Sequence, residues 1–298
     1  MSGAQKVYSG LGARIAVLAA VEANQFGRGQ NVALHRIADS GHLTVLETSI
    51  APFVEAAIEE AGAGKPLEQL APREGGDSTL WSHIDQWVNV DDIAITDAAA
   101  DASVTRPEFA ALVATYAEAL HHRGVRLGDR IAVLVPPSID LIAVVYACWR
   151  IGAVAVIADR GLGLGGLKSA IRASRVKHVI GPMKAVAAAR LLRGSPNASI
   201  IRLSALTRSP RVAKLEFVSA SEPGADDPAA VLFTSGATGP AKGVRYTHRQ
   251  LYAQRDALQK TYNIIPPDKF VAAFAPFALY GPALGIATGL ADMDVTSP

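Results

Sequence analysis

The stretch VLFTSGATGPAKGVRYTHRQL, residues 231–251, decides how the rest of the chain reads. A buried strand is expected over Ala229–Phe233. It runs into Thr234, Ser235, Gly236, Ala237, Thr238, Gly239, Pro240, Ala241, Lys242 and Gly243. Small residues let backbone N–H groups approach an anion, hydroxyls donate to its oxygens, and a lysine balances its charge. The pattern predicts a loop that holds a polyphosphate. It is not the G-x-x-x-x-G-K-[ST] loop, because Ala241 stands at the second glycine position and Gly243 at the hydroxyl position. The loop leads into another apolar stretch, Val244–Tyr246. Only then does a helix begin, with Thr247 and Gln250 forming a T-x-x-Q capping box.

Upstream, strands and helices alternate. Pro107–Arg123 reads as a helix started by its proline, with Phe109, Leu112, Val113, Tyr116 and Leu120 on one face. Arg130–Val135 is a near-continuous apolar run, as buried parallel strands have. A helix through Trp149, strand Ala153–Ala158, helix Leu167–Ser174, strand Lys177–Ile180, helix Met183–Leu192 and strand Ser199–Arg202 continue the series. That alternation implies βαβ units, a parallel sheet and an α/β fold.

Composition bounds what such a fold can do. The chain has 298 residues, 50% of them hydrophobic and 19% charged, enough to order a real core. A formal net charge of +2 argues against a protein built to coat nucleic acid. The single cysteine, Cys148, excludes a disulfide framework and any cysteine-based metal site. It lies in the apolar run LIAVVYACW and is expected to be a buried, inert thiol. No stretch reaches the ~18 apolar residues of a membrane span. The run Ile15–Val21 follows Lys6 and Arg14 as in a signal peptide, but Glu22 comes at once and the run alternates like a strand. A soluble, cytoplasmic chain is expected. Charge is nonetheless uneven: twelve bases and no acid lie between Arg160 and Lys214. No aromatics interleave with them for base stacking, so solvated helix faces are the expectation and a polyanion site the rival.

The segment TSGATGPAKGV closely resembles the phosphate-binding signature of the adenylate-forming acyl-activating enzymes: acyl-CoA ligases, nonribosomal adenylation domains and luciferases. The flanks are similar too. HRGVRLGDRIAVLVPPSIDLIAVVYACWRIGAVAVIAD, residues 122–159, resembles a segment early in their large domain, and SVTRPEFAALV, residues 103–113, the helix before it. The resemblance runs from about Val88 to Pro298. It implies that Thr234, Ser235, Thr238 and the glycines wrap the β and γ phosphates of ATP while Lys242 adds countercharge. A rival pattern lies inside it: Gly161, Gly163 and Gly166 of GLGLGG satisfy G-x-G-x-x-G. A dinucleotide site also wants an acid about 20 residues on, and none occurs before Glu216. The glycines are therefore expected to make a sharp loop.

Downstream, FAPFALYGPALGIATGL, residues 274–290, occupies the place of the family's acyl pocket. Phe277, Tyr280 and Gly281 are the residues that the resemblance assigns to it; Tyr280 is offered for the gating role that many relatives give to a histidine. A helix N-terminus packed in the core is the alternative. The wording of this segment is similar to olefin β-lactone synthetases, which activate long 3-hydroxy acids.

Residues 62–79 (GAGKPLEQLAPREGGDST) are rich in Gly, Pro and charge without apolar periodicity and read as a linker. Before them, Arg14–Ala20 and Asn31–Ile37 look like strands and Ser49–Ala61 like a helix, too little for an independent domain. HRIADSGHLTVLETSIAPFVEAAI, residues 35–58, resembles the end of an α/β-hydrolase, with His42 in the place of the general base. No G-x-S-x-G elbow accompanies it, and Glu22 sits off the usual place for the orienting acid. The expected organisation is a hydrolase-like remnant over 1–61, a linker over 62–79, and the first part of an adenylate-forming domain over 80–298. The whole reads as the junction of a fused decarboxylase and synthetase.

The resemblance implies two steps. A fatty carboxylate attacks the α-phosphorus of Mg·ATP, giving an acyl-adenylate and pyrophosphate. The adenylate is then consumed by its own 3-hydroxyl, forming a β-lactone, or by coenzyme A. ATP and Mg2+ are the expected cofactors, with coenzyme A as the alternative acceptor and other fatty-acid or olefin-pathway enzymes as partners. The adenine, ribose and catalytic-lysine segments of the family have no counterpart before Pro298. An incomplete enzyme is expected; an acyl-CoA ligase fragment and a non-catalytic nucleotide-binding remnant are the alternatives.

Overall fold

The computed structural model describes residues 15–18, 79–86, 92–158, 162–191, 196–211, 222–234, 242–265, 268–272 and 275–292. All of them belong to one compact unit, residues 1–20 and 78–298; residues 21–77 form another. In the first unit β1 (Ile15–Leu18) and α1 (Ser82–Asp85) precede a hairpin of β2 (Ile93–Asp97) and β3 (Ala102–Thr105). The predicted alternation follows as α2 (Arg106–His122), β4 (Arg130–Val133), α3 (Ile139–Arg150), β5 (Val154–Ala158) and α4 (Gly163–Ala173). It continues through β6 (His178–Gly181), α5 (Met183–Leu191), β7 (Ser199–Arg202) and α6 (Leu203–Thr207). Next come β8 (Pro228–Thr234), β9 (Lys242–Thr247) and α7 (His248–Tyr262). The last described elements are β10 (Lys269–Ala272), a 3-10 turn over Ala275–Leu279, α8 (Tyr280–Ala283) and β11 (Ala287–Leu290).

One sheet has six strands in the order β7-β6-β4-β5-β8-β9, all parallel except the β8–β9 pair. Its residues sort by the period of two that a pleated strand imposes. Ile131, Val133, Ala155, Ile180 and Ala229 enter one core, whereas Ala132, Val154, Val156, Val179 and Val231 enter a second on the opposite face. Because β5 and β6 lie on opposite sides of β4, the β4–β5 and β5–β6 crossovers run in opposite directions and their helices fall on opposite faces, while the β6–β7 crossover keeps the direction of the second. Accordingly α3 supplies the first core, and α4 and α5 supply the second through Ala170, Ile171, Val186 and Ala189.

Every residue of α3 from Ile142 to Trp149 is buried. A helix that is apolar all round needs cover on all sides. Here α3 packs against β4 and β5 of the first sheet, α2, and β2 of a second sheet. That second sheet has five strands in the order β1-β10-β11-β2-β3, parallel apart from the β2–β3 hairpin. Cys148, on α3, is fully buried, and burial pushes its thiol up to about 12, as expected of an inert cysteine.

Two expectations need correction. Helix α4 starts at Gly163 rather than Leu167, and Gly163 itself takes a left-handed φ of +61°, so the sharp turn expected of the glycines lies at the helix start and the later ones fall inside the helix. Leu162, Leu167, Ala170 and Ile171 pack on the sheet, which outweighs the helix penalty of the glycines. The segment 274–290 is not simply a helix start: it contains the 3-10 turn, a four-residue helix and the strand β11. In the N-terminal zone the strand expected at Arg14–Ala20 is present over Ile15–Leu18, parallel to β10. His42 and the rest of the hydrolase-like reading lie outside the described residues.

Candidate functional site

β8 pairs in parallel with β5, with Phe233 opposite Ala158, and antiparallel with β9. In the β8–β9 ladder Phe233 faces Gly243 and Thr234 faces Lys242. The chain therefore leaves and re-enters the sheet at one point, on the edge formed by the carboxyl ends of the parallel strands. Open α/β sheets bind ligands at that edge, near the reversal of strand order that here flanks β4. Of the predicted phosphate ligands, Thr234 ends β8 and Lys242 begins β9. Ser235, Gly236, Ala237, Thr238 and Gly239 lie outside the described residues.

Three contacts fix the β8–β9 pair that carries this loop. A Cβ at Gly243 would come within 2.6–3.0 Å of the Phe233 ring, so the returning strand lies flat on a buried aromatic. At the far end of β8, the Trp149 indole N–H donates to the Ala229 carbonyl at 3.1 Å. Beyond β9 the predicted capping box is present: the Gln250 N–H donates to Thr247 Oγ1 at 3.3 Å, and the Thr247 N–H donates to Gln250 Oε1 at 2.9 Å. It turns the chain from β9 directly into α7.

The second candidate segment is tied to the same helix. Tyr146, one turn before Trp149 on α3, donates its hydroxyl to the Leu279 carbonyl at 2.6 Å. Phe277 and Tyr280 follow with ring centroids 6.3 Å apart. Tyr280 is buried, and its hydroxyl donates to Gln254 Oε1 on α7. Burial, then the nearby Tyr246 phenol of β9, push the Tyr280 phenol well above its ordinary value, so it stays protonated. A Cβ at Gly281 would stand 1.5 Å from Thr288 Oγ1, so that glycine serves the close approach of α8 to β11. Tyr246, Gln254 and Tyr280 thus link the strand returning from the loop to the 3-10 turn and α8.

Cations line the other side of this segment. Arg106 donates through Nη2 to the Gly285 carbonyl at 3.2 Å, and buried Arg255 donates through Nη1 to the Thr79 carbonyl at 3.2 Å. Burial, Arg255 and Arg106 together lower the His83 imidazole below its ordinary value, and a Cβ at Gly285 would lie 2.9 Å from His83 Nδ1. Among the described residues no cluster of three or more His, Cys, Asp or Glu could hold a metal.

Sequence reasoning missed Tyr146, Trp149 and Gln254 as supports. The first two carried a signal: a phenol and an indole inside an apolar run need hydrogen-bond partners once buried. Gln254 carried none, because its partner lies on an element 26 residues away.

The AMP-binding enzyme family model matches residues 85–290. The olefin beta-lactone synthetase of Xanthomonas campestris pv. campestris is 34% identical over 210 residues, covering 67% of this chain. The chain spans 38% of the length of that relative. The inhibitor-bound N-terminal domain of FACL13 from Mycobacterium tuberculosis superposes with a TM-score of 0.63 at 22% identity, over 73% of this chain and 58% of its own. ATP-bound MatB from Rhodopseudomonas palustris superposes with a TM-score of 0.62 at 23% identity, over 73% of this chain and 46% of its own. The fold is that of the N-terminal domain of adenylate-forming enzymes, and the chain belongs to the AMP-binding enzyme family.

Proposed function

We propose that this member of the AMP-binding enzyme family holds the phosphates of ATP between β8 and β9 and activates a fatty 3-hydroxy acid as its acyl-adenylate. One observation carries the reading: the hydroxyl- and glycine-rich loop springs from paired positions, Thr234 and Lys242, at the carboxyl edge of the parallel sheet. The 34% identity to an olefin beta-lactone synthetase favours a 3-hydroxy acid and closure to a β-lactone.

The donor set suits a phosphate chain: hydroxyls at Thr234, Ser235 and Thr238, backbone N–H groups at Gly236, Ala237 and Gly239, and one ammonium at Lys242. ATP, with Mg2+, supplies an electrophilic α-phosphorus and pyrophosphate as leaving group. The loop's contribution is to hold the β and γ phosphates still and to offset their charge, which is catalysis by positioning and electrostatics. Phe277, Tyr280 and Gly281 form a wall toward the acyl chain, held by the Tyr146 and Gln254 hydrogen bonds.

The test is ATP binding followed by ATP–pyrophosphate exchange dependent on a long-chain 3-hydroxy acid. Lys242→Ala is expected to weaken ATP binding about tenfold or more, as loss of a charge-assisted contact does, with an unchanged Tm. Equal ATP affinity in the variant would remove Lys242 from the site. ATP binding without acid-dependent exchange would make the chain a nucleotide-binding module instead.

A further inference from the structure

Helices α4 and α5 lie side by side on one face of the six-stranded sheet, since Ala170 and Ile171 of one and Val186 and Ala189 of the other share a core with the same strands. Their opposite faces are open. On α4 Lys168 and Arg172 are exposed, with Arg175 just past the helix end, and Leu164 is exposed in the first turn. Leu164 is 63% exposed. On α5, Met183 and Leu191 stand eight residues apart on one stripe, 53% and 85% exposed, with Lys184 and Arg190 on its two flanks.

Large exposed apolar side chains are ordinary when scattered singly. Here three of them are exposed on two helices that cover one face of the sheet, among five exposed bases. The charge has one sign: no acid occurs between Asp159 and Glu216. A basic helix surface that also carries exposed Leu and Met matches an anionic lipid headgroup layer, which takes the cations at the phosphates and the apolar tips just beneath. Nucleic acid matches less well. It would use the cations, leave Leu164, Met183 and Leu191 in water, and ask for stacking aromatics that residues 160–214 do not contain.

We infer that the α4–α5 surface is a peripheral docking face for an anionic membrane. No described helix is long and apolar enough to cross a bilayer, so the contact is superficial and reversible. The inference stands apart from the reaction proposed above, because neither helix contributes a residue to the candidate site.

The experiment is co-sedimentation of the chain with phosphatidylcholine vesicles, with and without phosphatidylglycerol. Two paired variants separate the two contributions: Lys168→Glu with Arg172→Glu, and Leu164→Ser with Leu191→Ser. All four positions are exposed, so unchanged circular dichroism and ATP binding are expected in both. Binding to the anionic vesicles should weaken steeply with salt and fall about tenfold or more in each pair. The inference is overturned if the chain ignores phosphatidylglycerol or binds both vesicles alike. It is equally overturned if the chain prefers duplex DNA in a manner blind to the Leu→Ser pair, or if Leu191→Ser only abolishes self-association.

Discussion

At the scale of the residue, Gly243 shows how one position serves chemistry through packing. In the sequence it belongs to a run of small residues whose plain use is to let backbone approach an anion. The structure adds a separate demand, because a Cβ there meets the Phe233 ring at 2.6 Å. Phe233 is buried beneath the hairpin and cannot swing away without opening the second core. Gly243→Val is therefore expected to displace the returning strand, cost about 1–3 kcal/mol as overpacking does, and weaken ATP binding. Urea unfolding and ATP titration of the same sample check both. Lys242→Ala separates the effects, since it should lower ATP affinity alone. The loop's composition made the proposed phosphate site legible, whereas the reason for Gly243 was not. It lies across the ladder, ten residues back in the chain, where no local pattern reports it. Tyr280 gives the same lesson: the segment shows a buried ring, while the Gln254 partner of its hydroxyl lies 26 residues away, out of reach of any local pattern.

At the scale of the element, the alternation of strand and helix was readable because each buried strand is an apolar run and each helix has a 3.6-residue stripe. Boundaries held where a cap announced them, as at Thr247. They failed where composition and packing disagreed, as at α4. Glycine at 165 and 166 argues against a helix by about 1 kcal/mol per residue, yet the buried side of α4 offsets it, and Gly163 takes a left-handed φ of +61° that favours glycine. That balance makes a testable difference between neighbours. A Cβ at Gly165 meets nothing within 4 Å and its backbone is helical, so Gly165→Ala should stabilise by about 0.5–1 kcal/mol. At Gly166 a Cβ would come within 2.8 Å of Leu162 Cβ, which is packed against the sheet, and the same change should gain nothing or destabilise. Paired urea midpoints of the two variants decide it. If both variants stabilised equally, α4 would not be seated as described.

At the scale of the whole molecule, the first sheet follows from its run of βαβ units, but the second does not. Its strands are four or five residues long, such as ATGL in β11 and KFVA in β10, and β11 pairs with β2 from the other end of the described chain. Only the all-round burial of α3 demands that such a second layer exist. Burying two layers of core also buries histidine. His248, the first residue of α7, has no exposed surface and sits against Trp81 and Tyr252, with ring centroids 5.9 and 6.0 Å away. Neither of its ring nitrogens has a hydrogen-bond partner among the described residues. Burial therefore lowers its imidazole to about 4, only partly offset by Asp227, and His83 is shifted the same way. The sign follows from proton binding: below the ordinary histidine value of ~6.5, the unfolded chain takes up a proton that folded His248 refuses. Stability contributed by the neutral ring is whole above pH ~6.5 and is lost as pH falls toward 4, by about 3 kcal/mol for His248. Asp129 acts further into acid. Burial would raise its carboxyl, but hydrogen bonds from Lys177, the Arg126 N–H and His178 hold it below the usual carboxylate value, so its contribution fails only as pH drops through that lowered value. Unfolding free energies measured from pH 7 to 4 should fall steadily, and His248→Phe, which keeps an aromatic ring against Trp81 and removes the proton site, should flatten most of that slope. An unchanged slope in the variant would mean that His248 is not buried in the neutral form.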